Sequence, residues 1–161
     1  MNPITIRLAK PNDAETIAAF NRAMAQETEN KDLIPEVILA GVRSLFEHPS
    51  RGFYIVAETD GNVVACLMIT TEWSDWRNGV FWWVQSVYVQ TAYRRRGIYR
   101  SMYSFVKELA EKEPGVCGFR LYVEQDNSRA QNTYRALGMT QSPYCLFEEL
   151  KSGVMFLREK S

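Results

Sequence analysis

The chain has 161 residues, 46% of them hydrophobic and 24% charged, proportions that suit a folded domain with its own core and exclude a disordered or low-complexity chain. Lys plus Arg and Asp plus Glu number 19 each, so no overall field draws the protein to nucleic acid or to an anionic membrane surface, and any basic site is local. No apolar run approaches the ~20 residues of a membrane span, and the opening MNPITIRLAKPNDAE lacks the apolar stretch of a signal peptide, so a cytoplasmic location is the default expectation.

Ile4, Ile6 and Leu8 alternate with polar residues as in a strand, and Pro11 ends the run. Asn12 with Glu15 resembles a capping box, and Ile17, Phe20 and Met24 fall on one face of a first helix reaching about Gln26. Glu27 to Asp32 is polar. Pro35 opens a second helix with Val37, Ile38, Val42, Leu45 and Phe46, stopping near Pro49. FYIVAE and VVACLMITTEW, joined at Asp60-Gly61, read as a hairpin. Asn78-Gly79 then turns the chain into VFWWVQSVYV, a run of the kind buried in a sheet centre. After Arg94 to Gly97 the period changes, and Ile98, Met102, Phe105, Val106 and Leu109 recur at helical spacing up to Pro114-Gly115. CGFRLYVE is a further strand, Asp126-Asn127 leads into a short helix ending at Gly138, and Tyr144 to Glu149 and Val154 to Leu157 read as closing strands. The order β-α-α-β-β-β-α-β-α-β-β predicts one α+β domain over residues 1–161. Cys66, Cys117 and Cys145 lie in strand-like runs without a Cys-x-x-Cys pair and read as reduced core cysteines; with a lone His48, neither a metal site nor a His-based triad is expected.

A strand that delivers Arg94-Arg95-Arg96-Gly97 directly into a helix gathers unpaired backbone N–H groups, the positive helix dipole and guanidinium charge at one point, which suits a pyrophosphate. The glycine lets the backbone approach phosphate oxygens or adopt a conformation closed to bulkier residues. Taken alone, three arginines read first as a solvated patch, with a nucleic-acid contact as the other use of such a run.

VYVQTAYRRRGIYRSMY resembles the first signature of the GNAT superfamily of N-acetyltransferases, a strand followed by Arg/Gln-x-x-Gly-x-Gly/Ala at a helix start. About thirty residues on, NSRAQNTYRALGM is similar to the second, Asn-x-x-Ala-x-x-x-Tyr followed by a Gly-hydrophobic step. The resemblance covers essentially the whole chain. It implies a GNAT-type mixed, mostly antiparallel central sheet of six to seven strands flanked by about four helices, with acetyl-CoA as cosubstrate and no metal. One position departs from the pattern: Tyr99 stands where the first signature ends in a small residue.

Carried over by position, the resemblance implies that Arg94, Arg95, Arg96 and Gly97, with Ile98 and Tyr99, cradle the CoA pyrophosphate. It implies that the Val87 N–H meets the thioester carbonyl and the Val89 N–H the pantetheine arm. A fixed backbone donor at that carbonyl stabilises the oxyanion of acyl transfer. Asn127 matches the position that hydrogen-bonds CoA and Tyr134 the one that protonates the departing thiolate; a plain helix N-cap and a core aromatic are their ordinary alternatives. Where relatives often place a general base on the fourth strand, this chain has Trp83 and Gln85, neither of which takes a proton. Glu124 is the remaining carboxylate on the fifth strand, acting through water or merely solvated.

The acceptor pocket is expected between the first helix connection and the start of the fourth strand, where Trp73, Trp76, Trp82 and Trp83 cluster with Glu27, Glu29, Glu72 and Asp75, and with Gln85 close by. Aromatic walls with carboxylates suit a small cationic amine, or else form a core edge or homodimer interface. The implied reaction is direct acetyl transfer to a primary amine of a small molecule or peptide, with no nucleic-acid or membrane partner. A non-catalytic acyl-CoA-binding sensor of the same fold is the alternative.

Overall fold

The structure is a computed structural model that describes residues 3–158. These fall into two compact units, one of residues 3–120 with 156–158 and the other of residues 121–155.

The first unit holds β1 (Thr5–Leu8), α1 (Ala14–Glu29), α2 (Pro35–Glu47), β2 (Gly52–Thr59), β3 (Asn62–Ser74), β4 (Gly79–Val89), α3 (Ile98–Glu111) and β5 (Val116–Arg120). The strands form one sheet in the order β1-β2-β3-β4-β5, antiparallel as far as β4 and parallel between β4 and β5. Because side chains alternate along a strand, each half of the hairpin serves both faces. Tyr54, Val56 and Cys66 pack with Ile17, Phe20, Val42 and Leu45 of α1 and α2. Ile55, Ala57, Leu67 and Ile69, of opposite parity and fully buried, face the other way, toward α3, whose buried stripe is Ile98, Met102, Tyr103 and Val106. Each fully buried aliphatic side chain contributes about 1.5–3 kcal/mol of transfer free energy, so this two-sided core carries most of the unit's stability.

The start of α1 is set by Asp13 rather than Asn12. Its carboxylate accepts the Lys10 N–H at 2.7 Å and a two-pronged Arg7 pair at 2.8 and 3.0 Å, and Arg7 also reaches Glu58 of β2. Burial pushes that carboxyl upward, but the Arg7 guanidinium and the Lys10 N–H outweigh it and hold the group below the usual aspartate value. At its other end α1 runs past Gln26 to Glu29, where Asn30 turns left-handed with φ of 51°.

In the second unit α4 (Ser128–Ala136) is capped by the Asn127 side chain, which accepts the Ala130 N–H at 3.1 Å, and Gly138 follows its end at φ of 92°. The strands expected at Tyr144 to Glu149 and Val154 to Leu157 do not form, so the sheet has five strands and not six or seven. An extended segment becomes a strand only where a ladder takes up its N–H and C=O groups, and residues 121–155 contain no other strand to supply one. Leu157 makes a single antiparallel bridge to Leu33. For the same reason CGFRLYVE is a strand only to Arg120, leaving Tyr122 and Glu124 outside it. Of the cysteines only Cys66 is a core residue; Cys117, on the sheet edge, and Cys145 are exposed. No helix among the described residues is long and apolar enough to cross a membrane.

Candidate active site

The parallel pairing of β4 with β5 runs from Val80 with Val116 to Trp83 with Arg120 and stops, whereas its pairing with β3 continues to Val89 with Ala65. From Val84 onward β4 therefore has β3 on one edge and no strand of the sheet on the other. Met68 pairs with Gln85 and Cys66 with Tyr88, so two steps along β3 match three along β4, and one extra residue is inserted. Ser86 absorbs it at φ of 50°. The insertion decides where the N–H groups point. Val80 donates to Gly115 O on the β5 side, and directions alternate along a strand, yet Gln90, of the same parity, donates to Val64 O on the β3 side at 2.9 Å. The parity has switched, which turns the N–H groups of Val87 and Val89 toward the open edge.

Beyond β4, Arg95 and Gly97 both adopt left-handed backbone, at φ of 63° and 73°, on either side of Arg96, and Gly97 caps α3. A Cβ on Gly97 meets nothing within 4 Å, so glycine is needed there for its dihedral and not for space. The helix ladder begins with Ser101 N–H to Gly97 O at 3.0 Å, leaving the N–H groups of the first turn directed out of the helix start. The arginines separate. Arg94 is held by Glu27 at 2.6 Å and by Val89 O at 2.8 Å, and it lies over the Tyr88 ring. Arg96 stacks on Tyr93 and, with Ile98 and Ser101, lines a cleft of about 760 Å³ that also touches Thr59 and Asp60. The Ile98 side chain is buried in the core, so only its N–H faces the loop. Tyr99 lies along the helix, stacked nearly parallel on Tyr103 with ring centroids 6.2 Å apart, which turns its bulk away from the cap.

The acceptor residues nominated by the sequence are divided by the sheet. Glu72, Trp83 and Gln85 share the α1/α2 face with Thr70, Phe81 and Arg120, as their pairing requires. Trp83 Nε1 donates to Glu72 at 3.2 Å, Arg120 Nη1 to the same oxygen at 2.5 Å, and Gln85 Nε2 to Thr70 Oγ1 at 2.6 Å. Trp82 lies on the opposite face, edge-on to Phe53, and Trp73 and Trp76 are 61% and 87% exposed. The expected four-tryptophan wall therefore does not exist, because neighbours in a strand point to opposite sides. Three of the four carboxylates are already paired, Glu27 with Arg94, Glu29 with Lys31 and Glu72 with Arg120, while the exposed Asp75 accepts the Trp76 N–H.

In the second unit the Tyr134 phenol is pushed above its ordinary value by burial, so it remains a proton donor throughout the neutral range. Asn127 caps α4 through its side chain, which leaves room for a ligand contact as well. Glu124 O and Gln125 O accept from Gln131 Nε2, tying the α4 approach to the helix, and Glu124 is solvent-exposed.

The model of the acetyltransferase (GNAT) family matches residues 15–139, most of the chain. The chain belongs to the GNAT family. A structure from Clostridium difficile 630, described as "a possible acetyltransferase", is 43% identical to this GNAT chain with a TM-score of 0.86, covering 92% of this chain and 97% of that one. A "predicted acetyltransferase with acetyl-CoA" from Clostridium acetobutylicum shares the fold at 15% identity and a TM-score of 0.75, over 91% of this chain and 96% of that one. AAC(6')-Iy in complex with a bisubstrate analog, CoA-S-monomethyl-acetylneamine, does so at 14% identity and a TM-score of 0.73, over 92% and 99%. Comparison with curated proteins yields no match.

Three features of this GNAT chain escape sequence reasoning. The Ser86 bulge has no local signal, since serine is an unremarkable strand residue and only the register exposes it. Arg120 is one charge inside a strand-like run, and its place opposite Trp83 follows only once β4 and β5 are aligned. Arg77, in the turn before Asn78-Gly79, reads as an ordinary exposed charge until its guanidinium is seen over Phe81 at 5.0 Å.

Proposed function

We propose that this chain transfers an acetyl group from acetyl-CoA to a primary amine by direct attack in a ternary complex. The observation that carries the reading is the β4 bulge, which turns the Val87 and Val89 N–H groups to an unpaired sheet edge that continues into the left-handed cap of α3. Donors left without a ladder are satisfied by a ligand amide or carbonyl. In this reading the Val87 N–H donates to the thioester carbonyl and the Val89 N–H to the pantetheine. Arg95, Arg96, Gly97 and the first-turn N–H groups of Ile98 and Tyr99 hold the diphosphate, while Arg94, spent on Glu27, shapes the loop. The amine nitrogen attacks the thioester carbon, the oxyanion is stabilised by the Val87 N–H, the C–S bond breaks, and the thiolate takes the Tyr134 proton. The proton shed by the amine leaves through water, with Glu124 as the candidate relay. A covalent acyl-enzyme is disfavoured: the buried Cys66 thiol is pushed up to about 12, chiefly by desolvation, and Cys117 and Cys145 stand outside both signatures. Structures of the same fold with acetyl-CoA and with a CoA bisubstrate analog support the choice of cosubstrate.

The test is release of free thiol from acetyl-CoA in the presence of a panel of primary amines. Amine-dependent release matched by acetylated amine supports the enzyme. Calorimetric binding of acetyl-CoA with no turnover of any amine identifies the chain as a sensor.

A further inference from the structure

We infer that the acceptor is an amine carrying a carboxylate or phosphate, and that this anion docks on Arg120 and Arg77 over the Phe81 ring; the inference rests on the proposed acetyl transfer. Phe81 sits on β4 opposite Gly118 of β5, where a Cβ would come within 2.8 Å of the ring. Glycine lets the ring lie between the strands, and it is 8% exposed. Two guanidinium groups stack on it, Arg120 at 3.7 Å and Arg77 at 5.0 Å from its centroid. A ring attracts cations to its faces, which removes those faces from water and leaves the N–H fork at the edge to bind a planar anion.

Glu72 is the one carboxylate hydrogen-bonded to this arrangement among the described residues. It takes a single nitrogen of Arg120, and it also accepts from Trp83. Arg77 makes a 3.4 Å contact to Ser74 Oγ and no ion pair among the described residues; Asp75 in the same turn accepts the Trp76 N–H. Glu72 pairs with Arg120 alone, which leaves the Arg77 guanidinium as the group for a substrate anion to engage beside Arg120. Glu27, Glu29 and Glu72, which would otherwise attract a cationic acceptor, each already hold a cation. Trp83, the partner of Arg120, is level with Thr70 of β3, and the Val87 N–H, beyond the inserted residue and at the open edge, is level with about Leu67, so three steps of β3, about 10 Å at ~3.3 Å per residue, separate the two. Allowing for the length of the arginine side chain, amine and anion belong at opposite ends of an extended molecule.

The experiment measures kcat/KM with acetyl-CoA for three matched series of increasing chain length: ω-amino carboxylates, aminoalkyl phosphates, and diamines or alkylamines of equal length. The longer anionic amines are expected to exceed their uncharged or cationic counterparts by about 10–100-fold, and the carboxylate and phosphate arms tell the two anions apart. Because Arg120 also anchors Glu72, Arg77→Gln in the exposed turn is the cleaner variant; it should bring that ratio down several-fold. Diamines or plain alkylamines equal to or better than the anionic series would overturn the inference while leaving acetyl transfer intact. If no amine in any series is acetylated, the proposed function fails. The docking claim is then read by calorimetry in the presence of CoA, where 6-aminohexanoate or its phosphate counterpart should bind the wild type several-fold more tightly than Arg77→Gln. Equal affinities would sink it.

Discussion

Tyr134 illustrates how a single hydroxyl is assigned a role by its surroundings. Burial favours the neutral phenol, so its pKa lies above the ordinary 10.0 in the folded chain. A group whose folded pKa is raised adds stability that is complete below the unfolded value and is lost as pH rises through the folded one. Wild type and Tyr134→Phe should therefore melt alike at pH 7 and diverge above pH 10, where only the wild type pays for burying a phenolate. Turnover per folded molecule should fall in the variant by about tenfold or more at pH 7, less than the usual ~10²–10⁴-fold of a general acid because a thiolate is a good leaving group. Equal turnover with a lowered melting temperature at pH 7 would return Tyr134 to a purely structural part. The arginines make the complementary point: Arg94, Arg95 and Arg96 are adjacent in sequence, but Glu27 captures the first and Tyr93 stacks under the third, so a charge run is not a uniform site.

At the scale of elements, β4 carries the consequence. Its extra residue, Ser86, sits at positive φ, a conformation that costs a non-glycine residue about 1–2 kcal/mol and a β-branched one at least as much. Ser86→Val should therefore be less stable than Ser86→Gly by about 1–2 kcal/mol in urea unfolding, and acetyl-CoA affinity should survive in the glycine variant. Equal stability of the two would mean that Ser86 is not left-handed and that the register does not shift. Elements whose signal is local were legible in the sequence: the Asp60-Gly61 hairpin, the helical spacing from Ile98 to Val106, and the Asn78-Gly79 turn all fall where the residues put them. What depends on pairing was not. Tyr144 to Glu149 has the composition of a strand but no ladder in its unit, and Trp82 and Trp83 were grouped by proximity although the pleat sends them to opposite faces. The Val87 and Val89 N–H groups were nominated through family likeness, and only the register gives a physical reason for their direction.

For the whole molecule, the balance of 19 basic and 19 acidic residues has a use as an experimental control. With no net field, salt dependence of ligand binding reports local charges, here those of the loop from Arg95 to Gly97. A ligand that binds only the folded chain stabilises it by mass action, about 2.7 kcal/mol at a hundredfold excess over Kd. In a protein of this length that corresponds to a rise in Tm of roughly 5–10 °C. Acetyl-CoA and CoA should both produce it at low salt, pantetheine should produce much less because it lacks the diphosphate, and the difference should shrink as ionic strength approaches that of 1 M salt, where charges are screened within about 3 Å. Arg95→Glu should reduce the acetyl-CoA shift toward that of pantetheine without lowering the Tm of the unliganded chain appreciably, since Arg95 is exposed and makes no ion pair among the described residues. Thermal shifts recorded for the three ligands across a salt series, in wild type and variant, decide the matter. Pantetheine stabilising the chain as strongly as acetyl-CoA, with no salt dependence in either, would mean that the diphosphate is not held at the start of α3.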